Sequence, residues 1–220
     1  MIKKLLIIVI ASLLFLSGTK VINAATGENA SVDVGSTGRI SDGPTTPGQL
    51  VAQAGNVTHV NISRNYSTSK WAGFFGNVSA SVKMGVNSDV FFDFGSSVIL
   101  AVYASQNQSF NWANINKTDT DAIDTAFGFN PAADPDQAVD VYSSTKTIDG
   151  TTNTPSATLY DGNFDTYAVC QIINTTVDDF AFGGEVQNAG AAGFDSNSWQ
   201  YELLVPINAG TPTYYFFLTI

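Results

Sequence analysis

The sequence predicts an all-β fold, an antiparallel β-sandwich of jelly-roll or Ig-like kind carrying one or two short helices and preceded by a signal-peptide helix. Three observations lead there. After residue 24 the chain breaks into short runs rich in Val, Ile, Phe, Tyr and Thr, separated by Gly, Asn, Asp and Pro at the spacing of sandwich strands. Several of these runs alternate apolar and polar residues, the period of a half-buried strand. A helical period is confined to one short stretch near residue 123.

The chain opens with Lys3 and Lys4, an apolar run from Leu5 to Leu16, polar residues and then Ala24, the three-part plan of a secretory signal. The run is about a dozen residues, short of the roughly 20 that span a bilayer. We therefore expect cleavage after Ala24, with the membrane met only through this transient leader. Lys4 meets Leu5 with no Gly or Ala between them, which departs from a type IV pilin leader. The expected organisation is a signal peptide over 1–24, an N-terminal strand and linker over 25–48, and a single sandwich domain over 49–220.

Within 25–48, Val32, Val34, Ser36, Gly38 and Ile40 share one parity and Asp33, Gly35, Thr37 and Arg39 the other, giving a strand with a modest dry face. The SDGPTTPG run that follows is a flexible break, so this strand either pairs in its own sheet or leaves to complete a neighbour's. In HVNIS, Val60 and Ile62 are expected dry and Asn61 and Ser63 wet. WAGFFG, from Trp71 to Gly76, is expected to bend and turn its aromatics inward as core, with a sugar-stacking platform on Trp71 as the alternative. The strand after it should bury Val78, Ala80, Val82 and Met84, and the next should bury Val98, Leu100, Val102 and Ala104.

VFFDF, ATLY, TYAVCQII, DDFAFGGEV, WQYELLVPI and TYYFFLTI complete the strand set. The last two read as a closing hairpin through the Pro206–Pro212 turn, with Tyr201, Leu203 and Val205 on one face. Ala122, Ile123, Ala126 and Phe127 have helical spacing behind Asp or Thr caps. Residues 130–154, with Pro131, Pro135 and few large apolar side chains, read as a surface insertion.

The net charge is −10, and removal of a leader holding three lysines and no acid takes it to −13. Such a field repels nucleic acid and anionic membranes and leaves cations, neutral glycans and self-association as partners. Cys170 is the only cysteine, so no internal disulfide forms, and its apolar setting marks it as a small buried hydrophobe.

Asn-x-Ser/Thr sequons fall at Asn29, Asn56, Asn61, Asn65, Asn77, Asn107, Asn116 and Asn174, the density of a surface-displayed, glycosylated chain. Strand parity puts Asn61, Asn77 and Asn107 on wet faces. Asp161, Asn163 and Asp165 place oxygens at alternate positions, as the start of a calcium loop does, and calcium is the one cofactor considered. Thr166 and Ile172 stand where an EF-hand needs Gly and Glu, so an Asx turn between strands is the competing reading. His59, the only histidine, falls at a surface strand position, and G-x-S-x-G, H-E-x-x-H and Cys/His clusters are missing from the sequence. We expect no enzyme; a carboxylate hydrolase would leave no spacing to read.

TSKWAGFFGNVSASVKMG near the start, with WQYELLVPI and TYYFFLTI at the end, resembles a loosely defined group of secreted archaeal surface proteins. The sequon density is similar to that of glycosylated archaeal filament subunits, whose β-sandwich protomers can be linked by strand donation. The resemblance implies an extracytoplasmic β-fold and carries no catalytic residue across. The expectation is a secreted cell-surface or extracellular structural protein, a filament or surface-layer subunit. The alternatives are a carbohydrate- or calcium-binding adhesion module and, third, a secreted hydrolase.

Overall fold

The computed structural model describes residues 27–42, 46–64, 67–130, 136–148, 151–173, 176–208 and 210–219. The expected signal peptide, residues 1–24, lies outside them. The strands are β1 (Glu28–Asn29), β2 (Trp71–Gly76), β3 (Ser81–Val86), β4 (Asp89–Ser96), β5 (Ala101–Ser105) and β6 (Ile115–Lys117). Helices α1 (Thr120–Phe127) and α2 (Ala138–Val141) follow. Then come β7 (Ser144–Ile148), β8 (Thr151–Thr158), β9 (Asp165–Ile173), β10 (Thr176–Glu185), β11 (Ala191–Ala192), β12 (Ser198–Trp199), β13 (Tyr201–Pro206) and β14 (Tyr215–Thr219).

Eight strands form one antiparallel sheet in the order β1-β14-β5-β10-β9-β8-β7, with β6 on β9, and the β2–β13 pair forms a second layer over it. The protein is an all-β antiparallel sandwich. Between the layers Trp71, Leu203 and Val205 meet Val102, Ala104, Ala168, Cys170, Phe180 and Phe182. The far face of the large sheet is covered too: Phe110 and Trp112 close over Tyr103, Tyr167, Val169 and Phe217. β5 is therefore buried on both sides, and its Tyr103 and Ala104 are both at 0% exposure. The expected one-faced pattern through Val98 and Leu100 fails here, because those two residues precede β5 and are exposed.

α1 forms where the sequence placed it. Asp119 accepts from the Ala122 N–H at 2.7 Å as N-cap, and Gly128 ends the helix in the left-handed conformation at φ 67°. Its Ile123 and Phe127 are buried, Phe127 against Phe180 and Phe182 at 6.0 and 5.8 Å between ring centroids.

Several local expectations are corrected. β13 and β14 are not a hairpin: β13 pairs with β2 and β14 with β5, so the proline-containing segment after β13 crosses between layers about 10 Å apart. The described part of 130–154 is no insertion, since Ala138, Tyr142 and Ile148 are buried and β7–β8 extends the large sheet. WAGFFG is itself a strand, with Phe74 inward on Phe216 and Phe75 outward. Trp71 is core: its Nε1–H donates to the Asp136 carbonyl and its ring packs on Phe129 and Tyr142. Every residue of β3 is exposed, and among the described residues β3 pairs only with β4. HVNIS is exposed and forms no strand. Of the N-terminal strand only Glu28 and Asn29 pair, with Leu218 and Phe217, while Val32, Val34 and Ile40 stand in solvent.

Candidate functional site

One corner of the molecule gathers aromatic and acidic side chains from four segments. Phe75 projects outward from β2 and meets Phe194 and Trp199 edge-on, with ring centroids 4.9 and 5.0 Å away. Phe194 lies between β11 and β12, a short ribbon held by the Ala191–Trp199 and Ala192–Ser198 pairs. The turn is organised by Asp195, which accepts from the Asn197 N–H and from Trp199 Nε1 at 2.9 Å. Those bonds, the one from the Asn197 side chain first, hold the Asp195 carboxyl below its ordinary range. Phe75 and Phe194 remain 36% and 57% exposed, so this is a small aromatic surface rather than core.

Directly behind the ribbon is an acid pair. Glu202 on β13 is only 4% exposed, and its Oε1 accepts from the Phe194 N–H at 2.8 Å. Gly193 lets the backbone come this close, because a Cβ there would lie 2.4 Å from Glu202 Oε1. Asp161 spends Oδ1 on its own turn, accepting from the Asn163 and Phe164 N–H groups at 2.7 and 3.3 Å. Its Oδ2 is buried with no donor among the described residues, and the Asp161 carboxyl lies close enough to Glu202 to interact with it. A second carboxyl so close disfavours the charged form of Glu202. Burial, then the Asp161 contact, pushes Glu202 up from 4.5 to about 7.

Each of the calcium candidate residues is engaged by a protein partner. Asn163 Nδ2 donates to the Ala192 carbonyl, and Asp165 accepts from Thr158 and from Lys146, the latter at 2.7 Å. Lys146 also bridges Glu185 at 2.7 Å and so ties β7 to β9 and β10. Burial opposes both charges, but these bonds prevail, holding Lys146 above and Asp165 below their ordinary values. Among the described residues no group of three or more His, Cys, Asp or Glu is placed to hold a metal ion. Asp161 therefore belongs with Glu202, a partner that sequence reading missed because 41 positions separate them.

A second surface is apolar. The β3–β4 hairpin exposes Val82, Met84, Val86, Val90, Phe92 and Phe94, with the rings of Phe92 and Phe94 4.8 Å apart. From 31 to 62 the described chain forms no strand and leaves Val34, Leu50, Val51, Val57 and Ile62 at least 65% exposed.

The sequons divide by environment. Asn29, Asn56, Asn61, Asn77 and Asn116 are exposed, whereas Asn65 and Asn174 lie outside the described residues. Asn107 is half-buried, and its Nδ2 donates to Asp179 Oδ2 at 2.8 Å. Cys170 is fully buried and its thiol is pushed up to about 11, chiefly by burial. His59 is exposed. The chain matches no family model, no curated protein and no solved structure.

Proposed function

We propose that this chain is a secreted, glycosylated extracellular structural protein that associates with copies of itself as a filament or surface-layer subunit. The observation that carries this reading is the contrast between a sandwich with both faces of its large sheet covered and an apolar hairpin, β3–β4, left in water. Contiguous exposed apolar surface of this kind marks an association site. The segment from 31 to 62 supplies the complementary need: alternating apolar side chains, as in Val32 and Val34, on a backbone outside any strand. Such a segment gains hydrogen bonds by adding to an exposed edge. An arm of one copy on the hairpin of the next is a head-to-tail contact, and contacts of that type propagate unless the rotation closes a ring. The sequon density and the resemblance to glycosylated archaeal filament subunits support the same reading.

Electron microscopy of native extracellular material, beside a Phe92→Ser/Phe94→Ser double variant, tests it. The expected result is a polymer from the wild type and folded monomers from the variant. A wild type that stays monomeric under all conditions, or a variant that polymerises normally, overturns the reading. Removing residues 25–43 tests the arm: assembly should be lost and then restored by a peptide spanning Ala30 to Ile40.

A second reading, an extracellular carbohydrate-binding module, is favoured by the exposed Phe75–Phe194–Trp199 cluster, since aromatic faces stack on sugars. Glycan-array binding abolished by Trp199→Ala would support it.

A further inference from the structure

We propose that the first sugar of a glycan on Asn77 folds back onto Phe75 and is held by the Phe75–Phe194–Trp199 cluster, so that it packs as part of the protein surface. The proposal rests on the reading that the chain is glycosylated.

The order Phe75-Gly76-Asn77-Val78-Ser79 places an aromatic two residues ahead of a sequon asparagine. Burial alternates cleanly through it. Phe74 packs inward on Phe216, Gly76 lies against the Tyr201 ring, and Val78 packs against the core between the layers. Phe75, Asn77 and Ser79 are all exposed. On extended backbone, residues i and i+2 share a face about 7 Å apart. That gap suits an asparagine side chain carrying a pyranose ring that turns back over its neighbour.

The backbone is fixed on both sides of Asn77. The Gly76 carbonyl accepts from the Gln200 N–H at 2.9 Å, and the Val78 N–H donates to Gln200 Oε1 at 2.8 Å. The receiving surface is fixed as well: Phe194 and Trp199 brace Phe75 edge-on, and Trp199 is itself tied to Asp195. A pyranose presents a C–H face to an aromatic ring, a weak contact between separate molecules. Covalent tethering raises the sugar's effective concentration and populates it. The sequence holds its own control. None of the other seven sequons has Phe, Tyr or Trp two positions ahead.

The experiment uses the secreted native glycoprotein and three variants: Phe75→Leu, which keeps apolar bulk and removes the ring, Ser79→Ala, which removes the sequon, and both together. Mass spectrometry reads occupancy of Asn77, NMR reads the sugar protons, and thermal melting reads the coupling. The expected result is an occupied Asn77 whose sugar protons are shifted upfield by ring current. Phe75→Leu should then lower the melting temperature by about 2–4 °C more in the glycosylated background than in the Ser79→Ala background. An occupied Asn77 with unshifted sugar protons and equal losses in both backgrounds overturns the stacking and leaves glycosylation standing. A bare Asn77 in native material removes glycosylation at this position and the stacking with it.

Discussion

Replacing Glu202 by Gln should change how stability depends on pH. In the folded protein burial and Asp161 raise the Glu202 carboxyl from 4.5 to about 7. In the unfolded chain it titrates near its ordinary value. Between those two pH values the native state binds more protons than the unfolded state, so stability falls as pH rises; above about 7 both states are ionised and the fall ends. A tenfold change in proton affinity is about 1.4 kcal/mol, which sets an upper bound of about 3.5 kcal/mol for this rise. Solvent screening at a corner shared with the exposed Asp195 reduces the expected loss to about 1–2 kcal/mol, or roughly 2–8 °C in melting temperature. Glutamine carries no charge at any of these pH values, can still accept from the Phe194 N–H, and offers an N–H to Asp161 Oδ2. The assay is thermal unfolding of wild type and Glu202→Gln from pH 4.5 to 8.5. The two should nearly coincide at the acid end and diverge upward in pH, with the variant the more stable. Parallel curves across the range would show that the acid pair does not titrate there and would refute the reasoning.

Cys170 should resist iodoacetamide at pH 8 in the folded protein and react fully in denaturant, because its thiol is buried and raised to about 11; rapid labelling of the native chain would contradict this. An Asp161→Ala/Asp165→Ala double change should lower the melting temperature equally with calcium and with chelator, since the two carboxylates serve separate partners. A loss seen only with calcium would re-establish the loop as a cation site.

Local rules made some elements legible. α1 was readable because its cap, its apolar spacing and its terminating glycine all lie within ten residues, from Asp119 to Gly128. β9 and β10 were readable because TYAVC and FAF are continuous apolar runs of strand-forming residues. Pairing partners were not. That β13 takes β2 rather than β14 follows from what lies between the layers, and the sequence after Pro206 looks equally like a turn. The acid pair was hidden for the same reason, since contact between Asp161 and Glu202 exists only once the turn before β9 has folded against β13. Residues 130–154 read as an insertion because the segment is rich in Thr and Asp, yet three buried apolar side chains among its described residues, Ala138, Tyr142 and Ile148, suffice to anchor it.

The strands of the sandwich and those of the exposed regions also differ in pattern. β5, AVYAS, is apolar on nearly every position and is buried on both faces. SVKMGV in β3 and SVDVG near residue 33, the latter outside any strand, alternate instead, and an alternating segment in extended form has one dry face that needs a partner. Within this chain the large sheet has already spent both faces, one on β2, β13 and α1 and the other on the Phe110–Trp112 segment. The alternating segments therefore find no face of that sheet to cover. Their apolar residues are not fewer than those of the core, since β4 alone holds Val90, Phe91, Phe92 and Phe94. What they lack is a surface in the same molecule. On the self-association proposed above, these segments find their partner in a second copy of this chain, which offers an alternating segment with the same need.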